Sequence, residues 1–202
     1  RRWSSTGRAP PLASAGCDRQ GGPVPPTLAA LLRHPPRCTA TRRASHRAHG
    51  CHTDHVTCRI ATVQMEAVPG DVDANVARIT HLVHDAAAGG ADLVLFPEAA
   101  VTGYDDRAFA GPLPDLTASG WRSPVQDAVD RTGVTAVVNS ALERDGCRAL
   151  SDVIFTPGRE PLAAYDKQHL HDSERAVFTP GDHGASFVLN GLRFALSVCY
   201  DA

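Results

Sequence analysis

This sequence contains no apolar run long enough to cross a membrane. A membrane-spanning helix needs about 18 consecutive apolar residues, whereas the longest apolar run of the N-terminal region, Leu28–Leu32, has five. The same run is also short for the apolar segment of a signal peptide. We therefore expect a protein without a membrane partner.

Cysteines are too scattered for a small disulfide scaffold. The six cysteines stand at positions 17, 38, 51, 58, 147 and 199, whereas disulfide-rich secreted domains place theirs densely in a short chain. A reduced, cytoplasmic protein is therefore expected. We also expect Cys147, which follows Asp145 and Gly146 in a turn, to be an exposed thiol without a role.

Acidic residues are scarce in the first 57 positions. That region has nine Arg, no Lys and two Asp, for a net charge of +7, whereas residues 58–202 carry a net charge of −9. It is rich in Pro, Ser, Gly and His and lacks a lasting periodicity, so residues 1–57 are predicted to be a disordered extension. The acidic charge of residues 58–202 disfavours nucleic acid as the partner of the folded part.

Two thiols and two imidazoles lie close together in Cys51-His52-x-x-His55-x-x-Cys58. These side chains can bind zinc, but structural zinc sites usually take their ligands in pairs from two separated elements. This cluster has no second half. We therefore interpret it as a chance feature of a His-rich region and expect no bound metal.

A strand–helix–strand pattern opens the folded part at Arg59. The segment RIATVQM predicts a strand that ends at Pro69-Gly70, and Ala91–Phe96 predicts a second, buried strand. Between them, spacings of three and four residues relate the apolar positions Val72, Val76, Ile79, Val83 and Ala86. Asp71 or Asp73 can cap this helix and Gly89-Gly90 can end it. The pattern indicates parallel strands in an α/β fold.

The second half of the folded part predicts shorter antiparallel connections. Pro112, Pro114 and Gly120 indicate a surface loop, followed by a short helix and a strand at Val134–Val138. The Pro157-Gly158 turn separates predicted strands at Ala149–Phe155 and Pro161–Tyr165. Asn190-Gly191 is a strong hairpin signal between Ser186–Leu189 and Leu192–Val198.

Three of these predicted strands end in a chemically reactive side chain: Glu98, Lys167 and Cys199. Each has an ordinary interpretation alone, as a helix-start carboxylate, a solvated amine and a small buried apolar residue. Ligands of open α/β sheets bind at the carboxyl ends of the strands. A thiol, a carboxylate and an ammonium group at one edge supply a nucleophile, a base and an oxyanion partner, which is the requirement of nucleophilic acyl transfer.

Three sequence blocks resemble the signature of the nitrilase superfamily, the carbon–nitrogen hydrolases. The blocks LVLFPEAAVTGY, YDKQHL with ERAVFTPGD, and FALSVCYDA match in order and separation, and the resemblance runs from about Arg59 to the last residue. It implies an α/β fold, the four-layer αββα sandwich, for residues 58–202. It also implies a homodimer or higher oligomer for a full-length protein.

The resemblance assigns a role to each reactive residue. It implies that Glu98 is the general base, that Lys167 stabilises the tetrahedral intermediate and that Cys199 is the nucleophile. Glu174 matches a second glutamate that positions the others, although a solvated loop acid fits the sequence equally well. The backbone N–H of Tyr200 is expected to complete the oxyanion hole. The implied mechanism uses neither a metal nor a cofactor.

The implied activity is hydrolysis of a non-peptide carbon–nitrogen bond. Cys199 would form a thioester from an amide, a carbamoyl amine or a nitrile, with release of ammonia or an amine and then of a carboxylic acid. The residues do not decide among these substrates, and we favour amides as the broader use of the family.

Two alternatives remain open at the level of the sequence. The chain begins at Arg1, has Met65 as its only methionine and ends at Ala202, whereas members of the family continue beyond the cysteine strand. We therefore expect a sandwich that is incomplete at its C-terminus, and the alternative function is a non-catalytic fragment of such an enzyme. A third interpretation is a binding module that uses residues 1–57 on nucleic acid or an acidic membrane.

Overall fold

Five strands form the main sheet of the computed structural model, which describes residues 56–117, 119–144 and 146–202. Their order across the sheet follows the chain: β1 (Ile60–Thr62), β2 (Leu93–Leu95), β3 (Thr135–Arg144), β4 (Cys147–Phe155) and β5 (Leu162–Asp166). The pairs β1–β2 and β2–β3 are parallel, and the pairs β3–β4 and β4–β5 are antiparallel. The predicted α/β class is therefore confirmed.

Residues 1–55 of the predicted N-terminal extension lie outside the described residues. These include Cys51, His52 and His55 of the Cys/His cluster, so only Cys58 of that cluster is described. In the part of the chain that is described, no group of three or more His, Cys, Asp or Glu side chains could hold a metal ion. In the same part, every helix is too short or too polar to cross a bilayer.

Helices cover one face of the main sheet. The long helices α1 (Val72–Ala88) and α3 (Ser119–Thr132) lie side by side, and a short helix, α2 (Asp106–Ala110), stands between them in the chain. Asp71 caps α1 because its carboxylate accepts a hydrogen bond from the Ala74 N–H, and Gly89 follows the last helical residue. Apolar side chains of α1 and α3 and alternate residues of β2, β3 and β4 form the main core.

A two-stranded hairpin covers the opposite face of the main sheet. Strands β6 (Ser186–Leu189) and β7 (Leu192–Ala195) are joined by Asn190 and Gly191, whose φ angles of 49° and 78° are those of a type I′ turn. Phe187 and Leu189 of the hairpin pack in one cluster with the second set of alternate residues of the main sheet: Leu93, Val137 and Ile154. The described residues thus form a helix layer, a five-stranded layer and a hairpin layer.

The antiparallel half of the sheet corrects two predictions. β3 continues to Arg144 rather than ending at Val138, because it pairs with β4 from Ala136 opposite Phe155 to Arg144 opposite Cys147. Cys147 therefore lies in a strand and is only 6% exposed, so the prediction of an exposed thiol in a turn is wrong.

Two further boundaries differ from the sequence-based expectation. Gly120 lies inside α3 rather than in a loop, since Trp121 and Val125 of the same helix are buried in the main core and hold this turn in place. β7 ends at Ala195 rather than at Val198, so the chain reaches Cys199 through an irregular segment.

Candidate active site

Glu98 follows the carboxyl end of β2 and is held by the turn behind it. The Phe96 N–H donates to the Val137 carbonyl, and Pro97 then ends the ladder because it has no N–H. Ala99 has a φ of 51°, in the left-handed region that residues other than glycine rarely adopt. The Ala99 N–H donates to Oδ1 of Asn139 at 2.8 Å. The turn leaves the Glu98 side chain 18% exposed.

Lys167 stands at the end of β5 and contacts two carboxylates. Its Nζ lies 2.8 Å from Oε1 of Glu98 and 2.8 Å from Oε1 of Glu174. The side chain is 1% exposed, and its backbone N–H donates to the Leu150 carbonyl of β4. Lys167 is also the only lysine in the sequence. A lysine buried between two carboxylates indicates a buried cluster of ion pairs rather than a solvated surface charge.

Glu174 is buried and fully engaged, which does not fit the alternative of a solvated loop acid. It opens a single 3-10 turn, Glu174–Ala176, and is 2% exposed. Besides Lys167, its Oε1 accepts the Tyr104 hydroxyl at 2.7 Å, and its Oε2 accepts the His171 N–H at 2.7 Å. These donors fix the carboxylate against the ammonium group of Lys167.

Charge pairing outweighs burial at this cluster. Burial by itself lowers the pKa of Lys167, but hydrogen bonds to Glu174 and Glu98 raise that pKa above its usual range. Burial likewise works to raise the pKa of Glu174, and the hydrogen bonds from Lys167, Tyr104 and the His171 N–H bring it below its usual value. Lys167 is therefore a cation and Glu174 an anion at neutral pH.

Cys199 begins a 3-10 turn, Cys199–Asp201, with a left-handed φ of 47°. Burial raises the pKa of its thiol most strongly, the Glu98 charge and a hydrogen bond to Glu98 raise it further, and the Lys167 charge lowers it. The structure thus brings Cys199, Glu98 and Lys167 together. The Tyr200 ring is exposed and lies edge-on to the His171 ring, at 6.3 Å between centroids, and the predicted role of the Tyr200 N–H stays a prediction.

Asp201 was missed by the sequence reasoning, although its carboxylate ties the Cys199 turn to the end of β5. It accepts the Tyr165 hydroxyl at 2.7 Å, the His169 N–H at 2.7 Å and the Val198 N–H at 3.2 Å. Burial works to raise the pKa of Asp201, but the Tyr165 and backbone hydrogen bonds lower it. The only sign of Asp201 in the sequence is an acidic residue two positions after the cysteine, and a solvated surface acid would look the same.

Gly181 allows the chain to pass close to Lys167. The Gly181 N–H donates to the Lys167 carbonyl at 2.9 Å, and a Cβ at this position would overlap the Asp166 carbonyl. We expect Gly181→Ala to lower the free energy of unfolding by about 1–3 kcal/mol, the usual effect of overpacking. Urea denaturation measures this change. The matched control is Gly184→Ala, where a Cβ meets open space, and equal stability of the two variants would contradict the prediction.

Comparisons with known proteins identify a family for this chain. A family model described as carbon-nitrogen hydrolase matches residues 59–202. An (R)-stereoselective amidase of Pseudomonas sp. is 31% identical over 143 residues, which cover 71% of this chain and 52% of the relative. A nitrilase of Pyrococcus abyssi is 29% identical over 150 residues, with coverage of 71% and 56%. The chain spans about half the length of the curated relatives it matches.

A solved structure gives a similar result. It is a glutamate-to-glutamine mutant of the amidase from Nesterenkonia sp. AN1, described as showing the result of Michael addition of acrylamide at the active site cysteine. The identity is 26% and the TM-score is 0.64, and the match covers 71% of this chain and 58% of that one.

Proposed function

The chain belongs to the carbon–nitrogen hydrolase family, and we propose that it hydrolyses a small amide through a thioester on Cys199. The observation that carries this proposal is the convergence of two carboxylates on one buried lysine, 2.8 Å from each, beside a cysteine. A cluster that only stabilised the fold would have no need of a thiol in the same electrostatic field.

The first step joins the Cys199 sulfur to the amide carbon. Because the pKa of the Cys199 thiol is raised, the resting group is a thiol rather than a thiolate at neutral pH. Its proton must therefore leave as the S–C bond forms, and we assign the Glu98 carboxylate, whose charge raises the pKa of the thiol, as the group that accepts it.

The second step stabilises the oxyanion of the tetrahedral intermediate. An ammonium group has three donors, and two of those on Lys167 are directed at Glu98 and Glu174 among the residues described. The third can point at the oxyanion, together with the predicted Tyr200 N–H. Glu174 keeps Lys167 charged and oriented throughout, so its role is one of positioning.

The last steps release the two products. Glu98 returns its proton to the departing nitrogen, so ammonia or an amine leaves and a thioester remains on Cys199. Glu98 then takes a proton from water, whose oxygen attacks the thioester carbon. The carboxylic acid departs, and the Cys199 sulfur recovers its proton. All of these steps use groups of this chain and one water molecule.

Amides are favoured over nitriles and carbamoyl amines by the relatives. Two of the three described above are amidases by name. The nitrilase relative keeps nitriles as the second candidate. The expectations of a homodimer or higher oligomer and of a cytoplasmic location belong to this proposal as well.

Ammonia release tests the proposal directly. The folded chain would be incubated with acetamide, propionamide, butyramide, an N-carbamoyl amino acid and propionitrile, and ammonia and intact protein mass would be followed. We expect ammonia from at least one amide and an acyl adduct on the protein, and neither from Cys199→Ala. The matched control is Cys58→Ala, since Cys58 is the other cysteine found free among the described residues.

Two results would overturn the proposal. One is ammonia release by Cys199→Ala at the rate of the unchanged chain. The other is the absence of release and of an adduct from the unchanged chain while circular dichroism shows it folded, which would favour the non-catalytic alternative.

A further inference from the structure

The backbone directly after Glu98 is held in a costly conformation. A left-handed φ costs a residue with a side chain roughly 1–2 kcal/mol, and Ala99 adopts it at 51° while fully buried. Such a residue persists when its surroundings fix it. Its peptide nitrogen belongs to the peptide bond that follows Glu98, so whatever fixes Ala99 also restricts the ψ angle of Glu98 and thus the backbone from which the Glu98 side chain projects.

Asn139 of β3 provides that fixation at two points. Its Oδ1 accepts the Ala99 N–H at 2.8 Å, and its backbone carbonyl accepts the Val101 N–H at 3.4 Å. Asn139 is 2% exposed, so these bonds form in a dry environment where an alternative water partner is costly to admit.

Asp152 of β4 in turn orients the Asn139 amide. The two residues are directly opposite each other in the β3–β4 ladder, and the Asn139 Nδ2 donates to Oδ1 of Asp152 at 2.9 Å. An ionised carboxylate only accepts hydrogen bonds. It therefore forces the amide nitrogen towards Asp152 and leaves the amide oxygen for the Ala99 N–H.

We propose that Asn139 and Asp152 form a positioning pair that aims Glu98 at Lys167 and Cys199, an inference that rests on the proposed function. The hydrogen-bonded sequence runs from Asp152 to Asn139, from Asn139 to the Ala99 N–H, and through one peptide bond to Glu98, whose Oε1 meets Lys167 at 2.8 Å. Neither residue of the pair touches the reacting atoms, so both act through Glu98.

The electrostatic setting of Asp152 supports this role. The pKa of Asp152 is raised to about 6, most strongly by burial. The Asn139 hydrogen bond works to lower that pKa, and the charges of Asp201, Glu98 and Asp166 work to raise it. Burying the Asp152 carboxylate near three other carboxylates is energetically unfavourable. The hydrogen bond that the ionised Asp152 accepts from Asn139 offsets part of this cost.

Exchanging the two side chains tests the pair with the same atoms. Asn139→Asp alone places two carboxylates against each other, so the group at position 139 turns away and releases the Ala99 N–H. Asp152→Asn alone removes the charge that fixes the amide. The double exchange, N139D with D152N, places a carboxylate beside the Ala99 N–H and an amide donor opposite that carboxylate. The hydrogen bond from Ala99 is restored, and the bond between positions 139 and 152 forms again with its donor at position 152.

We expect a positioning effect to appear in kcat rather than in KM, because the substrate is bound but the base is misaligned. At pH 8, Asn139→Asp should lower kcat by about 30- to 100-fold, in the range expected for a displacement of about 1 Å at a reacting group. Asp152→Asn should lower it by about three- to tenfold, and the double exchange should return to within about threefold of the unchanged chain. KM should change little in all three.

Hydrogen exchange of the Ala99 amide, measured by NMR, provides a readout that does not depend on activity. It should be slow in the unchanged chain, fast in Asn139→Asp and slow again in the double exchange. Equal kcat and equal Ala99 exchange in Asn139→Asp would overturn the inference, as would a double exchange that is no better than Asn139→Asp. If no variant hydrolyses any amide, the proposed function fails, and the Ala99 exchange pattern still decides the positioning pair.

Discussion

Replacement of Lys167 by methionine is expected to lower the free energy of unfolding by about 3–5 kcal/mol and to abolish hydrolysis. Methionine has nearly the same length and fits the site, so the loss is one of charge rather than of volume. Without the ammonium group, the carboxylates of Glu98 and Glu174 face each other, and Glu174 is 2% exposed and cannot recover its hydration. Urea denaturation followed by circular dichroism measures the change.

A double variant separates charge imbalance from lost packing. Lys167→Met combined with Glu174→Gln removes the cation and the most deeply buried anion together. In the unchanged chain, the Tyr104 hydroxyl and the His171 N–H both donate to Glu174. The glutamine oxygen of the variant can still accept a hydrogen bond from one of these two donors. We expect the double variant to recover at least half of the lost stability while remaining inactive. A double variant as unstable as Lys167→Met would show that the charge argument is wrong.

Glu98→Gln is expected to change two reactions of Cys199 in opposite directions. Hydrolysis should fall by about 10²- to 10⁴-fold, since glutamine cannot accept the thiol proton. Alkylation by acrylamide should become faster at pH 7, because the Glu98 charge and hydrogen bond both raise the pKa of the thiol while Lys167 lowers it. With Glu98 neutral, the thiol titrates at lower pH, and the thiolate fraction increases. We expect about three- to tenfold faster alkylation, since a less basic thiolate is also a weaker nucleophile.

Peptide mass spectrometry across a series of pH values measures this effect. The profile of Cys199 alkylation should move to lower pH in Glu98→Gln, and the profile of Cys58, which serves as the internal control, should not move. Burial and the charge of Asp92, rather than Glu98, raise the pKa of the Cys58 thiol. A Cys199 profile that stays in place, or that moves to higher pH, would contradict the coupling of the two residues.

The sequence was sufficient to predict the elements that carry Glu98 and Lys167. A short apolar run that ends in Pro97 predicted β2 and placed Glu98 at its carboxyl end, and the Pro157-Gly158 turn predicted the returning strand β5 before Lys167. These signals are local: apolar alternation, proline and glycine act within a few residues of themselves. The catalytic roles of Glu98 and Lys167 stay predictions.

The supporting residues could not be found in this way, because their function depends on strand register. Asn139 meets Ala99 across 40 positions of the chain, and it meets Asp152 only because β3 and β4 pair with Asn139 opposite Asp152. A shift by one residue would send the Asn139 side chain to the other face of the sheet. The same ladder explains why the sequence placed Cys147 in a turn. Cys147 is the first residue of β4, whereas the Pro157-Gly158 turn that indicated this strand follows its last residue.

The presence of one lysine in the whole sequence makes the centre of the site chemically addressable. Apart from the α-amino group, Lys167 is the only amine that an acylating reagent can modify, and it is 1% exposed and held as a cation. An activated ester can therefore acylate it only after the cluster opens and the amine loses its proton. The rate of acylation at Lys167, read from the mass of the peptide that contains it, therefore measures how often this ion cluster opens, and it needs no substrate.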